Sequence, residues 1–150
     1  MQLKACFNVS ALPFWTLLLG LVAFALSLTG ASHAAEIKGF TERTAEVNGV
    51  RIHYSVGGQG RAVVLLHGHA QTSHMWRPVM GELAKKHTVI VPDLRGAGGS
   101  SKPETGYDKK TMAQDIHALV VSLGHERAAI VGHDIGLMVA YAYAAQYPEE

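Results

Sequence analysis

The sequence predicts an α/β fold, an opening hairpin followed by a mainly parallel sheet with helices on both faces. Three observations carry this. Apolar and polar residues alternate on both sides of Asn48-Gly49; two continuous apolar runs, "AVVLLH" and "TVIVPD", each precede a segment with apolar residues at helical spacing; and a third run, "RAAIVG", leads into another such segment. Strand–helix alternation after a hairpin is the signature of parallel strands joined by helical crossovers.

Each element follows from local chemistry. In "TAEVNGVRIHYSVGGQG" the pair Asn48-Gly49 is a strong two-residue hairpin signal, because both residues tolerate positive φ. Val47, Val50, Ile52 and Tyr54 then share one partly buried face, and Gly57, Gly58 and Gly60 make the next turn. Residues 62–67 are β-branched and unbroken, as in a strand buried on both faces. After the loop "GHAQTS", Met75, Val79, Leu83 and the stem of Lys86 lie at helical spacing, Pro78 fits only a first turn, and Trp76 reads as a core anchor. "TVIVPD" (88–93) is the second buried strand, and "LRGAGGSSKPETGY" is a turn-rich loop. Met112, Ile116, Leu119, Val120 and Leu123 form one helical face, with Gly124 as the stop. "RAAIVG" is the third buried strand. "LMVAYAYAAQYP" is apolar on nearly all sides and reads as a buried helix, with Tyr141, Tyr143 and Tyr147 as packing residues.

Length and composition limit the function classes. The chain has 150 residues, enough for one domain, and at 48% hydrophobic and 17% charged it is globular in composition. Basic residues number 13 and acidic residues 12, with no basic patch, which argues against a nucleic-acid partner; Lys85-Lys86 and Lys109-Lys110 read as solvated faces. Residues 1–34 differ from the rest: Lys4, then the apolar run "PFWTLLLGLVAFALSLTG", then the small residues of "ASHAAE". That is the layout of a cleavable secretory signal, with the cut expected after Ala34 and a periplasmic or secreted destination. The apolar core from Phe14 to Leu28 is 15 residues, short for a membrane span, though an uncleaved anchor is the alternative. Cleavage would remove Lys4 and the only cysteine, Cys6, leaving residues 35–150 with 12 basic and 12 acidic residues and no disulfide.

The candidate site centres on "VGHDIG". A strand that turns at once into a helix puts the turning residue in a strained backbone conformation and brings its neighbours two positions away into close approach. Gly132 and Gly136 are those neighbours of Asp134. The turn lifts residue 134 above the carboxyl ends of the strands, where open α/β sheets bind ligands, and leaves the Ile135 N–H free for an anion.

This is the geometry of the nucleophile elbow G-x-S-x-G, with Asp in place of Ser. With "HGHAQT" after the first buried strand, "DLRGAGGSSKP" after the second and "VGHDIG" after the third, the chain resembles the N-terminal portion of the α/β-hydrolase superfamily. The resemblance implies that Asp134 is a nucleophile, that the backbone N–H groups of His69 and Ile135 form the oxyanion hole, and that neither a cofactor nor a metal is used. A carboxylate nucleophile suits displacement at a saturated carbon, forming an alkyl ester that water then opens at the carboxyl carbon. Elbow aspartates in this superfamily mark epoxide hydrolases and haloalkane or haloacetate dehalogenases. Haloalkane dehalogenases usually carry Trp after the nucleophile and Asn in the first loop, where this chain has Ile135 and His69. Haloacetate dehalogenases usually carry Arg after the nucleophile and three residues on, where this chain has Ile135 and Met138. The chain is therefore most similar to secreted bacterial epoxide hydrolases, with a small-molecule epoxide as substrate and an alkyl halide as the alternative. Ala70 departs from that pattern, in which proline is common.

Competing readings are weaker on context. "HDIG" is also the metal-binding dyad of HD-domain phosphohydrolases, but that dyad lies within a helix, whereas here it follows a β-branched strand. His67-Gly-His69 with His74 suggests zinc, yet the chain continues Gln71-Thr72 where a two-metal string would continue Asp and His; His67 reads as a loop-bracing residue, with His53, His87, His117 and His125 as surface or edge residues. "GAGGSS" lacks the third glycine of a phosphate-cradling loop and reads as a turn braced by Asp93 and Arg95. After Asp134 the superfamily order requires an acid and a histidine. Residues 135–150 offer only Glu149 and Glu150 and no histidine, so the acid, the histidine and the cap tyrosines are expected beyond Glu150. The 150-residue chain is then expected to be inactive alone, a fragment of a hydrolase; a non-catalytic remnant or binding module is the alternative.

Overall fold

The computed structural model describes residues 37–150. The secretory signal expected over residues 1–34 lies outside them. Five strands form one sheet: β1 (Phe40–Val47), β2 (Val50–Gly57), β3 (Arg61–Leu66), β4 (His87–Pro92) and β5 (Ala128–Gly132), in the order β1-β2-β4-β3-β5. Three helices alternate with the later strands: α1 (Arg77–Leu83), preceded by a 3-10 turn at Ser73–Trp76, α2 (Lys109–Ser122) and α3 (Ile135–Gln146). β1 and β2 are antiparallel, as are β2 and β4, whereas β4, β3 and β5 run parallel. The predicted hairpin and parallel body are both present.

The hairpin turn is set by two left-handed residues, Asn48 at φ 48° and Gly49 at φ 75°, the pair that a type I′ turn requires. Val47 faces Val50 across it, and Val47, Val50, Ile52 and Tyr54 are all buried. β3 is continuous with the core because both its faces are covered. Val64 and Leu66 pack with Ile90 and Tyr54 against α2 and α3, while Val63 and Leu65 pack with Val89 and Val91 against Met80 of α1 and Trp76. Alternation in a strand sends successive side chains to opposite faces, so this division places helices on both sides of the sheet.

Several expectations need correction. The buried position of α1 is Met80, not Val79, which is 42% exposed, and Lys86 is exposed as well. The 3-10 turn rotates the following helix so that Trp76, Met80, Leu83 and Ala84 face the sheet. β5 is not buried on both faces: among the described strands it is the outer one beside β3, and Val131 is exposed. α3 is not buried all round. Gly136, Val139 and Tyr143 face inward, while Leu137, Met138 and Tyr141 are 60%, 55% and 78% exposed. Tyr143 and Tyr147 do pack, the latter stacked on His117 with ring centroids 3.8 Å apart, but Tyr141 packs on nothing in the core.

Candidate active site

β5 ends at Gly132 and α3 begins at Ile135, so only His133 and Asp134 make the turn. The His133 N–H continues the β3–β5 pairing by donating to Leu66 O at 3.0 Å. Asp134 then reverses the chain at φ 52°, ψ −121°, outside the ordinary helical and extended regions. A Cβ at residue 132 would strike the Gly136 carbonyl, and one at residue 136 would strike the Leu66 and His67 carbonyls. These are backbone contacts that no side-chain motion relieves, so the two glycines allow α3 to start directly against the end of β3.

The consequence for Asp134 is exposure with a held carboxylate. The His69 N–H donates to Asp134 Oδ2 at 2.8 Å, across 65 residues of sequence. That hydrogen bond, seconded by the Ile135 N–H and by the nearby His133 and His69 side chains, holds the Asp134 carboxyl below its ordinary value. Asp134, the His69 N–H and the opening N–H of α3 are thus brought together. The His133-Asp134 pair stands at a strand–helix junction rather than inside a helix.

The loops around the site are braced by buried polar groups. His67 is 1% exposed and satisfied at both ring nitrogens: Nδ1 donates to Gly68 O at 2.9 Å and Nε2 accepts from the Leu94 N–H at 3.0 Å, a pattern that a proton on Nδ1 fulfils. The bracing role expected for the glycine-rich turn holds for Asp93, whereas Arg95 reaches Thr105 O and Asp115 instead. Asp93 accepts from the Ser73 N–H at 2.7 Å and the Gly99 N–H at 2.9 Å, and His53 Nδ1 lies 3.0 Å from its second oxygen. Ser100 Oγ accepts from the His53 N–H, and the Ser101 N–H donates to Arg51 O, tying the glycine-rich loop to β2. Arg95 makes a buried two-pronged pair with Asp115, both bonds at 2.6 Å.

A cavity of about 470 Å³ lies against this corner, bordered by His69, Ala70, Gln71, Leu94, Tyr107 and Ile135. A larger one, about 820 Å³, is bordered by hairpin and α1-end residues such as Arg43, Gly58 and Lys85 and touches none of the site residues. The smaller cavity is the relevant one because it reaches both residues whose N–H groups face Asp134.

Sequence reasoning missed Gln71, His53 and Asp115. Asp115 had a legible signal, a carboxylate beside Met112, Ile116 and Leu119 on the buried face of α2. Gln71 and His53 had none, since their partners are set by loop conformation.

The alpha/beta hydrolase fold family model matches residues 61–150, which cover β3 through α3 with Gly68, His69, Gln71, Asp93, Asp134 and Ile135. The chain belongs to the alpha/beta hydrolase family. Among the family's curated members it is 49% identical to a soluble epoxide hydrolase of Corynebacterium sp. (strain C12) over 104 residues, 69% of this chain and 36% of that one. It is 43% identical to a fluoroacetate dehalogenase of Burkholderia sp. over 117 residues, 75% of this chain and 38% of that one. The solved structure of the epoxide hydrolase CorEH superposes with a TM-score of 0.72 at 46% identity, covering 73% of this chain and 39% of that one. The chain therefore spans somewhat over a third of the length of these hydrolases.

Proposed function

We propose that this chain is the nucleophile-bearing part of an epoxide hydrolase that opens small epoxides through an alkyl ester on Asp134. The observation that carries the reading is the exposed Asp134 carboxylate, raised on a strained turn and met by the His69 N–H at 2.8 Å. Attack of one carboxylate oxygen on an epoxide carbon breaks the ring C–O bond, and the ring oxygen leaves as an alkoxide that takes up a proton. Water, deprotonated by a histidine, then adds to the ester carboxyl carbon. The negative charge that develops on the Asp134 oxygen falls between the N–H groups of His69 and Ile135, which supply the donors such an intermediate requires. Collapse releases a diol and leaves one oxygen of water in the Asp134 carboxylate.

Residues 135–150 contain no histidine, so sustained turnover is not expected from these 150 residues alone. One turnover of a longer form in heavy-oxygen water is expected to label Asp134; label confined to the diol would remove the ester mechanism. A second reading, a dehalogenase, is favoured by the 43% identity to the fluoroacetate dehalogenase. Ile135 and Met138 offer neither a halide grip nor a cation for a carboxylate, so diol formation from an epoxide is expected to exceed halide release from fluoroacetate. We further propose export through residues 1–34, which N-terminal sequencing of the protein recovered from a periplasmic or culture fraction tests by its start at residue 35.

A further inference from the structure

The loop that presents His69 leaves the sheet at β3 and reaches the 3-10 turn without a strand partner. Its shape is held at one residue, Gly68, which is buried. The Gly68 N–H donates to the side-chain oxygen of Gln71 at 2.9 Å. The Gly68 carbonyl accepts twice, from His67 Nδ1 at 2.9 Å and from the Gln71 N–H at 3.3 Å. Gln71 therefore holds the peptide on either side of Gly68, one through its side chain and one through its backbone. The second of those peptides is the one that carries the His69 N–H. A trans peptide is planar, with its carbonyl and N–H pointing in opposite directions, so fixing the Gly68 oxygen fixes the line along which the His69 hydrogen points. That line meets Asp134 Oδ2 at 2.8 Å. The loop closes back on Gly68 through Ala70 at φ 53°, a left-handed alanine that needs a compensating contact to persist. There is no slack: a Cβ at residue 68 would stand 2.6 Å from the Gln71 oxygen and 3.0 Å from the Asp134 Cβ.

We infer that Gln71 is a positioning residue: its side-chain oxygen latches the Gly68 N–H and so holds the loop closed, which keeps the Gln71 N–H on the Gly68 carbonyl and the His69 N–H aimed at the Asp134 carboxylate. This rests on the reading of Asp134 given above for its relevance to reaction, but the latch can be tested without turnover.

The experiment is a carboxyl-carbon NMR titration of the 150-residue chain labelled at aspartate, with amide spectra recorded alongside. In Gln71→Met, which keeps the length and removes the acceptor oxygen, the Asp134 midpoint is expected to rise toward the ordinary aspartate value of about 3.9. The His69 amide resonance is expected to stop following that titration. Gln71→Glu, which keeps an acceptor, is expected to retain the His69 response. A folded Gln71→Met chain with the Asp134 midpoint and His69 response of the parent would overturn the latch. Hydrogen exchange in the unaltered chain decides the matter even where a variant does not fold: the Gly68 amide is expected to exchange slowly, and exchange as fast as at exposed Ala70 would overturn the proposal. An unlabelled Asp134 after turnover in heavy-oxygen water would sink the ester reading and leave the latch standing; an unmoved Asp134 midpoint would do the reverse.

Discussion

Left-handed backbone at a non-glycine residue costs about 1–2 kcal/mol, and the site region holds two instances, Ala70 at φ 53° and Asp134 at φ 52°. At Asp134 the strain is tied to the close approach of Gly132 and Gly136, whose missing side chains let α3 abut β3. Gly132→Ala is expected to destabilise the chain by roughly 2 kcal/mol or more, because the obstacle is the Gly136 backbone rather than a movable side chain. Urea unfolding checks this, and an unchanged midpoint would contradict the close approach. At Ala70 the two possible changes have opposite signs. Ala70→Gly releases the strain and is expected to raise stability by up to about 1 kcal/mol, whereas Ala70→Pro, whose ring fixes φ near −65°, is expected to lower it. The resemblance made Ala70 conspicuous as the place of a proline, but its left-handed backbone was not legible, because φ at such a position is set by how Gly68 and Gln71 close the loop.

Two buried carboxylates join the elements to one another. Asp115 of α2 receives both prongs of Arg95 and, at 2.7 Å, the side-chain amide of Asn48 from the hairpin turn. The Asp115 hydrogen bonds push the Arg95 guanidinium further toward its charged form. Removing one member leaves a buried charge unpaired, so Asp115→Ala is expected to cost about 3–5 kcal/mol. The double change Asp115→Leu with Arg95→Met is expected to cost less than Asp115→Ala, and a thermodynamic cycle over the pair measures the difference. Asp93 links the end of β4 to the 3-10 turn, to the glycine-rich loop and, through His53, to β2. Burial raises its carboxyl, but the Ser73 and Gly99 N–H groups, the Ser73 hydroxyl and His53 outweigh that and hold it below the ordinary value. With the native value depressed, the unfolded chain binds the proton first on acidification. The stability that Asp93 contributes is therefore complete above the ordinary aspartate value and is lost as pH falls below about 4. Asp93→Asn is expected to flatten that part of a stability–pH curve, and a curve that keeps its slope would show that other groups carry it.

At the scale of the whole chain, what was legible was periodic and what was not was tertiary. The Asn48-Gly49 turn, the face of α2 and the succession of strands and helices along the chain follow from residue pattern alone. The corner at Asp134 was legible because glycine at 132 and 136 is a steric requirement written in residue type. The rotation of α1 was misjudged because the 3-10 turn at Ser73–Trp76 shifts the helical phase, so Met80 replaces Val79 as the inward residue. α3 was misjudged because apolar composition does not say which faces have neighbours. Its outward residues Leu137, Met138 and Tyr141 are left uncovered by the described residues, as is Val131 on the other face of the sheet at the β5 edge. Such surfaces and bare strand edges favour association. The 150-residue chain is accordingly expected to sediment as a concentration-dependent mixture, and Leu137→Ser with Tyr141→Lys is expected to shift it toward the monomer.

The 65-residue separation between the His69 N–H and Asp134 also sets a timetable for birth on the ribosome. At about 5–20 residues per second, the later half of the corner emerges roughly 3–13 s after the earlier half. A hairpin closes in about 1–10 μs, so β1 and β2 have long since joined while β3 still waits for β5 along one side. Nascent chains held with residue 136 just inside and just outside the ribosomal exit should therefore differ sharply in protease resistance around His67–Gln71.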